Sequence, residues 1–504
     1  MIPCRLRLLP VLLAALAPLA ASAAPDLPDA AASAGPQALA LEEALARALE
    51  ANLDLAIERV APRRAETNIL AARAAFDPRF TLNSRYAENS SPRAAEQVAA
   101  DGRPSVESRT FSSSIGASQP TVLGTEVGVS ANTTNRMNTF NDFEDEYTSF
   151  AGLNLRHPLL KDAGPTANRA QLRIAVKGRE QSDATFLNRV DQILAEVHRA
   201  YYELLFSLAD LDTKQQSLLL AERLQADNDA RRELGTMTPL DVAQARSEAA
   251  SRLSEVIQAQ LAIDQSRNRL LRLITDDFAA GRSRPIVPTD ALTPPEPTPR
   301  EDFELRLGLE NRKDYLALLK QAEADDLRIL FTRNQLLPRL DLEGSYGFNG
   351  LDRSLDQSFN RVADTRDPGW FVGLAVEIPW GNQAEKARHD DAKLRKEETL
   401  LRLKNTEQQI LLEVDNAAKA VESTRRQYET NRIAREISQQ TAAAEEEKLK
   451  AGISTSYTVL QLQRDAAAAR TQELRSLTNY HVALVNLRLA QGVLAPLSGV
   501  RIGP

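Results

Sequence analysis

Two hydrophobic patterns alternate along this chain, and each of them occurs in both halves. In the first pattern apolar residues recur at every second position, and polar residues such as Asn83, Asn154 and Glu343 fill the alternate positions. A period of two places successive side chains on opposite faces of a β-strand. The residues predicted to form one apolar face are Phe80, Leu82, Tyr86, Leu153, Leu155, Leu340, Leu342, Tyr346, Trp370, Val372 and Leu374. The pattern predicts strand regions at about residues 79–158 and 339–379.

In the second pattern apolar residues recur every three or four positions over long distances. No proline occurs between Pro165 and Pro239 or between Pro379 and Pro496, although the chain contains 25 prolines. Residues 166–234 and 382–450 are therefore predicted to form helices about 100 Å long at a rise of about 1.5 Å per residue. A period sustained over so many turns requires neighbouring helices with knobs-into-holes packing. Shorter helices are predicted at 41–75, with a break near Pro62, and at 240–278 and 459–491.

Each long helix ends in a corner rich in glycine and threonine. The corners read Gly235-Thr236-Met237-Thr238-Pro239-Leu240-Asp241-Val242 and Gly452-Ile453-Ser454-Thr455-Ser456-Tyr457-Thr458-Val459. Pro158 precedes Gly235 by 77 residues and Pro379 precedes Gly452 by 73, so the chain repeats one structural unit. The first strand region is the longer of the two, and the sequence leaves open whether residues 109–133 form an additional hairpin there.

The repeat and the flanking composition predict the division of the chain. The predicted segments are a signal peptide (1–23), a low-complexity spacer (24–40), a first repeat (41–284), a Pro-rich linker (285–300), a second repeat (301–492) and a C-terminal tail (493–504). The signal peptide is indicated by Arg5 and Arg7, a short apolar run and a small-residue cleavage site, and it predicts export.

Composition narrows the possible chemistry. The single cysteine, Cys4, lies in the predicted signal peptide, so we expect neither a disulfide nor a thiolate site in the mature chain. With Arg5 and Arg7 removed, 60 basic residues face 69 acidic ones, which argues against a nucleic-acid partner. Hydrophobic residues make up 43% of the chain but aromatic residues only 5%, as in packed long helices.

No catalytic, cofactor or metal site is predicted. The four histidines, His157, His198, His389 and His481, lack metal-ligand spacing, and the run at 445–447 is better explained as a solvated helix face. Neither a phosphate-binding loop nor a nucleophile elbow is present in the sequence. We therefore expect a protein that is not an enzyme.

The alternating strands admit two interpretations. A period of two fits an ordinary half-buried antiparallel sheet as well as strands between lipid and a watery lumen. The export signal and the long neighbouring helices favour the membrane interpretation, with the apolar face towards lipid.

The order of these elements, and above all the two corners with the prolines that close the strands, resembles the TolC family of trimeric outer-membrane channel proteins over essentially the whole mature chain. The resemblance implies a mainly α fold with a membrane β-barrel portion, in which a duplicated helix-strand-strand-helix repeat supplies long periplasmic α-barrel helices and strands for a barrel shared by a homotrimer. It also implies a location in the Gram-negative outer membrane, with helices extending into the periplasm.

The resemblance further implies roles for the corners at the periplasmic tip. Its adaptor-docking positions are Gly235, Thr236, Thr238, Leu240, Val242, Gly452, Thr455, Tyr457 and Val459. The same glycines and threonines also fit ordinary helix ends and caps, and both roles are compatible. The gate positions are Asp241, Ser454, Thr458 and Gln461. Only Asp241 matches the family's charged pattern, so a weaker or differently built lock is implied, and Asp241 fits a pore-lining acid or a helix cap equally well.

The function implied is a passive exit duct for a tripartite efflux pump or a type I secretion system. A periplasmic adaptor (membrane fusion protein) and an inner-membrane transporter are the implied partners that open it. The alternative is a periplasmic coiled-coil scaffold or adaptor without a pore, which shares the long helices but has no use for lipid-facing strands. The cargo and the class of transporter are left open by the sequence.

Overall fold

Long helices and one antiparallel sheet make up the fold. The computed structural model describes residues 37–295 and 301–497. The predicted signal peptide with Cys4, most of the spacer, the end of the linker and the end of the tail lie outside the described residues. The helices are α1 (Leu41–Ala51), α2 (Leu53–Glu58), α3 (Val60–Arg73), α4 (Ala95–Asp101), α5 (Gly164–Asn168), α6 (Ala170–Glu233), α7 (Pro239–Ile274), α8 (Phe278–Arg282), α9 (Glu301–Asn311), α10 (Lys313–Gln335), α11 (Leu355–Ala363), α12 (Gln383–Lys450), α13 (Ser456–Ala490) and α14 (Leu494–Leu497).

The helices pair as the two repeats predict. Helices α6 and α12 contain 64 and 68 residues, and each folds back through a corner onto its return helix, α7 or α13. Helix α6 also packs against α3, α10 and α13, so the two repeats share one helical wall. The long helices need these neighbours because their stability comes from burying an apolar stripe.

Six strands form a single antiparallel sheet. They are six of the eight strands in the described residues, which are β1 (Gln37–Leu39), β2 (Arg79–Pro92), β3 (Ser105–Pro120), β4 (Glu126–Asn138), β5 (Tyr147–Pro158), β6 (Ile286–Pro288), β7 (Arg339–Asp352) and β8 (Pro368–Glu377). The order in the large sheet is β2-β3-β4-β5-β7-β8. The end of this sheet that contains Arg79, Pro158, Arg339 and Glu377 adjoins the helices, and we call it the helix-side end; the opposite end is the outer end. Residues 105–138 thus form the additional hairpin that the sequence left open.

The largest hydrophobic core lies midway along the helices. Tyr201 of α6 is fully buried there, and two acceptors share the one proton of its hydroxyl, the Leu39 carbonyl oxygen (2.9 Å) and the Asp290 carboxylate (2.7 Å). Leu39 is 0% exposed and Ile286 is 2% exposed. Their strands, β1 and β6, pair in parallel. Part of the predicted spacer and part of the predicted linker are therefore not simple connections, because they meet in a small sheet that closes this core.

The N-terminal helical segment has one break that the sequence predicted and one that it did not. The helix breaks at Arg59, near Pro62, which lies in the first turn of α3, and it also breaks at Asn52. Proline is tolerated in a first turn because its missing N–H has no partner there anyway. Asn52 causes the earlier break, since its side chain accepts a hydrogen bond from the Leu55 N–H at 3.0 Å and caps α2.

The turn between β3 and β4 depends on Gly124. Its φ is +88°, and a Cβ added there would lie 2.4 Å from the Asp162 carbonyl oxygen and 2.7 Å from Pro158 Cγ. We expect Gly124→Ala to lower the stability of the assembled protein by about 2 kcal/mol or more, because the turn would have to move away from the 158–162 segment. Gly373→Ala is the matched control in β8, where a Cβ meets nothing within 4 Å. Samples are heated to graded temperatures before electrophoresis, and the temperature at which the folded band disappears measures the effect. Equal temperatures for the two variants would contradict the expectation.

Candidate functional site

The two corners have the same backbone structure. Gly235 has φ +76° and Gly452 has φ +77°, both in the left-handed region that favours glycine. At each corner the glycine N–H and the next N–H bond back to the last turn of the long helix: Gly235 to Arg232 (2.9 Å) and Thr236 to Arg231 (3.0 Å) in the first. The second corner repeats this pattern from Gly452 and Ile453. These are paired helix-ending bonds of the Schellman type.

Each corner then starts its return helix with a threonine cap. The Thr238 Oγ1 accepts the Asp241 N–H (3.2 Å) while the Asp241 carboxylate accepts the Thr238 N–H (3.0 Å), which is a reciprocal capping box. Thr455 caps α13 through its Oγ1 alone, which accepts the Thr458 N–H at 3.2 Å. The corner glycines thus end the long helices and the corner threonines cap the return helices. Asp241 takes part in the cap of α7.

The side chains of the corners divide into an exposed and a buried set. Leu240 is 65% exposed and Tyr457, at the equivalent position of the second corner, is 59% exposed. Val242 and Val459, also equivalent, are 2% and 1% exposed. The prediction that Val242 and Val459 face an adaptor is therefore wrong. Both lie one turn inside the return helices, and Val459 packs in an apolar core with Leu224, Ala245, Ala249 and Leu449.

The other docking positions are at the surface. Gly235, Thr236, Thr238, Gly452 and Thr455 are exposed, and a Cβ added to either glycine would meet nothing within 4 Å. Leu234 (79% exposed) and Ile453 (74% exposed) add to the exposed apolar area. We call Leu234, Leu240, Ile453 and Tyr457 the tip patch.

The predicted gate residues make local contacts. The Ser454 hydroxyl donates to Glu445 at 2.5 Å, Thr458 belongs to the α13 cap, and Gln461 is exposed. Hydrogen bonds from the Thr238 hydroxyl and N–H lower the pKa of Asp241, so this carboxylate stays charged at neutral pH. Asp241 and Ser454 are thus held within their own corners, each by residues of its own hairpin.

A buried ionic network two turns above the corners was missed by the sequence analysis. Glu248 of α7 accepts hydrogen bonds from Arg252 (2.7 Å) and from Arg464 of α13 (3.1 Å), and the Arg252 guanidinium also bonds to Ser217 of α6. The Arg252 side chain is only 3% exposed. The network therefore ties the two hairpins together inside one chain. The signal in the sequence was that Glu248 and Arg252 fall on the three-four spacing of buried residues in α7.

This network makes the tip sensitive to acid. Burial raises the pKa of Glu248, but the hydrogen bonds from Arg464 and Arg252 outweigh burial and hold the pKa below its usual value of 4.5. Because the pKa is lower in the folded state, the network's contribution to stability is complete above about pH 4.5 and is lost as the pH falls through the folded-state pKa.

We therefore expect the thermal midpoint of the purified protein to fall more steeply below about pH 4.5 than that of the Glu248→Gln variant, which has no carboxylate to protonate there. Thermal scans followed by circular dichroism across this range test the expectation. Parallel curves for the two proteins would show that Glu248 contributes nothing to the acid sensitivity.

At the other end of the molecule, the strand register sorts the side chains of the sheet onto two faces. One row of paired residues crosses all six strands through Phe80, Ala117, Val129, Leu153, Tyr346 and Trp370. All residues predicted to be lipid-facing lie on this face, which we call the apolar face. Phe80 is 81% exposed and Trp370 is 73% exposed, so the edge strands present large apolar side chains to the surroundings.

The opposite face, which we call the polar face, contains glycine, hydroxyl, amide and charged residues. The adjacent row runs through Thr81, Gly116, Ser130, Gly152, Gly347 and Gly369. At the helix-side end the Asp341 carboxylate, 0% exposed, bonds to Arg156 (2.7 Å) and Arg339 (2.7 Å). Phe371, 55% exposed, is an apolar exception on this face.

The histidines have separate surroundings. His157 bonds to the Thr125 hydroxyl (2.7 Å), His389 to the Thr332 hydroxyl (3.0 Å) and His481 to the Thr293 carbonyl (2.8 Å). His198 is buried beside Tyr202, and burial lowers its pKa to about 4. Within residues 37–295 and 301–497, no group of three His, Cys, Asp or Glu side chains is placed to hold a metal ion.

Over the described part of the chain, no helix combines the length and the apolar character that crossing a membrane requires.

Comparison with known proteins points to one family. The model of the outer membrane efflux protein family matches residues 44–275 and 305–493, which include both corners and both strand regions. Outer membrane protein OprJ of Pseudomonas aeruginosa is 27% identical over 314 residues, which cover 60% of this chain and 61% of OprJ. The probable efflux pump outer membrane protein TtgC of Pseudomonas putida is 24% identical over 310 residues, or 60% of each chain. The chain thus matches about three fifths of the length of these curated relatives.

A solved structure shares the fold. The CmeC outer membrane channel of Campylobacter jejuni superposes with a TM-score of 0.66 at 17% identity, over 90% of this chain and 85% of CmeC. The mainly α fold with a strand portion, predicted from the sequence, is confirmed by this match and by the observed elements.

Proposed function

Because this chain belongs to the outer membrane efflux protein family, we propose that it is a passive exit duct in the Gram-negative outer membrane, formed by three copies of the chain. Each copy gives its six-stranded sheet to a shared barrel and its long helices to a tube that extends into the periplasm. A periplasmic adaptor and an inner-membrane transporter, of a tripartite efflux pump or a type I secretion system, open the tube at its tip. The similarity to OprJ, an outer membrane protein, and to TtgC, a probable efflux pump outer membrane protein, supports this assignment.

The observation that carries the proposal is the two-faced sheet with unpaired edges. Strands β2 and β8 are the first and last in the order, so among residues 37–295 and 301–497 each has one row of backbone groups without a partner strand. Lipid cannot satisfy such groups, and closure with neighbouring copies removes the problem. The apolar face then contacts lipid and the polar face contacts water. A scaffold without a pore has no use for the exposed Phe80 and Trp370.

The tip supports the partner assignment. Leu240 and Tyr457 project from equivalent corners, and the tip patch gives each copy two similar apolar sites rimmed by hydroxyl groups. Three copies would present six such sites in a ring, which suits repeated docking of one adaptor hairpin. The Glu248–Arg464 link supplies a lock within each chain, in which Asp241 alone matches the family's charged gate residues.

Reconstitution tests the proposal. Purified protein added to a planar bilayer should give discrete current steps, and co-expression with the adaptor and transporter from the same cell should restore export in a strain that lacks its own outer-membrane duct. Absence of current together with absence of export would remove the duct assignment and leave the scaffold as the better explanation.

A further inference from the structure

The two repeats contribute unequally to the sheet. In the first repeat four strands, β2 to β5, lie between α3 and α5, whereas in the second only β7 and β8 lie between α10 and α12. Because β2 and β7 each follow a helix and β5 and β8 each lead into one, the hairpin of β3 and β4 is the element without a counterpart. We call it the first-repeat hairpin.

The first-repeat hairpin is integrated into the sheet along its whole length. Strand β3 pairs with β2 from Arg79 to Pro92, and β4 pairs with β5 from Glu126 to Asn135. At the helix-side end its turn is fixed to the segment after β5. The Leu123 carbonyl accepts the Gly164 N–H at 3.0 Å, and the Thr125 hydroxyl bonds to His157 at 2.7 Å.

The first-repeat hairpin also shares the two faces of its neighbours. On the apolar face Ile115 is 60% exposed and Val129 is 51% exposed. On the polar face of β3 the residues are Thr110, Ser112, Ser114, Gly116 and Ser118, and on that of β4 they are Glu126, Gly128, Ser130, Asn132, Thr134 and Arg136. Charges thus occur only at the two ends of β4, and small hydroxyl and amide groups fill the middle.

The sheet can close into a barrel with these strands included. Strands β2 and β8 run in opposite directions because the sheet is antiparallel with an even number of strands, so β8 of one copy can pair antiparallel with β2 of the next. Three copies of six strands give eighteen. With strands about 4.8 Å apart and tilted by about 40°, eighteen strands give a backbone diameter of about 36 Å, and twelve strands give about 24 Å.

We infer that the first-repeat hairpin is a width-determining part of the pore wall, so that the outer exit is an eighteen-stranded barrel in which the hairpin of each copy adds a weakly charged, hydroxyl-rich segment to the lining. Such an exit suits bulky, polar cargo better than small ions, because its added circumference provides space without binding charges. The inference rests on the proposed duct and specifies the width and lining of its outer end.

Cysteine labelling in the full-length protein tests the placement of the first-repeat hairpin. Ser114 and Ile115 are neighbours on β3 that lie on opposite faces. In intact cells a water-soluble maleimide should modify the Ser114→Cys variant at least about tenfold faster than Ile115→Cys, because lipid covers only the apolar face. Equal rates at the two positions would overturn the inference. Cys4 lies in the predicted signal peptide, and the unsubstituted chain measures the background.

Graded reagents test the width. Ser345 of β7 lies on the polar face, and a Ser345→Cys variant reports which polyethylene-glycol maleimides can enter from outside. Deleting residues 105–138 joins two loops at the outer end and removes only the first-repeat hairpin. The mass of the largest reagent that reacts should be lower by about twofold or more in the deletion variant, since the diameter of the barrel shrinks by about a third. An unchanged limit would overturn the inference.

The outcomes separate the inference from the proposed function. If the variant that lacks residues 105–138 does not assemble, the comparison of labelling at Ser114 and Ile115 in the full-length chain alone decides whether the inference holds. Alternating labelling without export would remove the duct proposal and leave the barrel wall intact. Export with equal labelling at both positions would remove the inference and leave the duct.

Discussion

Replacing both Gly235 and Gly452 by arginine is expected to abolish adaptor-dependent export while leaving the amount of assembled protein in the membrane unchanged. Both glycines have a left-handed backbone, and an added Cβ meets no neighbour within 4 Å. The substitution therefore costs only about 1–2 kcal/mol of backbone strain at each corner. The arginine side chains must instead project from the tip into the space where an adaptor would dock.

The expected loss is large because a docking surface is damaged at both equivalent sites. A cost of about 3 kcal/mol at an interface lowers affinity by more than 100-fold. Export of a pump substrate, measured beside the quantity of protein in isolated outer membranes, gives the result. Gly102→Arg is the matched control, because Gly102 has φ +75° with open space around its Cβ but lies in an outer-end loop. Normal export from the double corner variant would contradict the docking assignment.

Replacing Glu248 by alanine is expected to weaken the connection between the two hairpins and to lower the thermal stability of the protein. The Arg252 side chain, 3% exposed, would then remain buried with only the Ser217 hydroxyl as a partner. Removing one partner of a buried ion pair costs about 3–5 kcal/mol. For a chain of this size we expect the thermal midpoint to fall by about 3–5 °C. The single-channel current should rise, because the tip helices of each chain are no longer held together.

Arg246→Ala is the control for this experiment. Arg246 lies two residues before Glu248 on α7 and pairs with Asp229 of α6 at 2.9 Å, but its side chain is 58% exposed. Such a surface pair contributes at most about 0.5–1 kcal/mol. Equal stabilities and equal currents for the two variants would show that the Glu248 network does not hold the tip.

The faces of the sheet could be predicted from the sequence because their signal is local. A shift of one residue in the pairing register of a strand would move every side chain to the other face. Alternation over residues such as Leu340 and Leu342 therefore determines which side chains share a face, without knowledge of the fold. The helix caps at Thr238 and Thr455 were equally readable, since a cap depends on residues three positions apart. Family membership followed from the order of these local elements and is confirmed by the family match.

The features that the sequence analysis missed depend on packing between distant segments. Val459 is buried because the two hairpins lie against each other, and no local sequence pattern indicates that contact. The Glu248–Arg464 link joins residues 216 positions apart in the sequence. A charged residue at a helical position with buried neighbours signals only that some partner exists. Helices α4 and α11 lie in polar connections between strands and were likewise not predicted.

The central claim is that three copies close one sheet each into a membrane pore. The most direct measurement is the mass of the protein in a purified detergent complex, obtained by light scattering after correction for bound detergent. The account predicts three chains within one detergent belt and insertion of that particle into lipid vesicles. A single chain that binds no detergent and remains in the aqueous phase would contradict it.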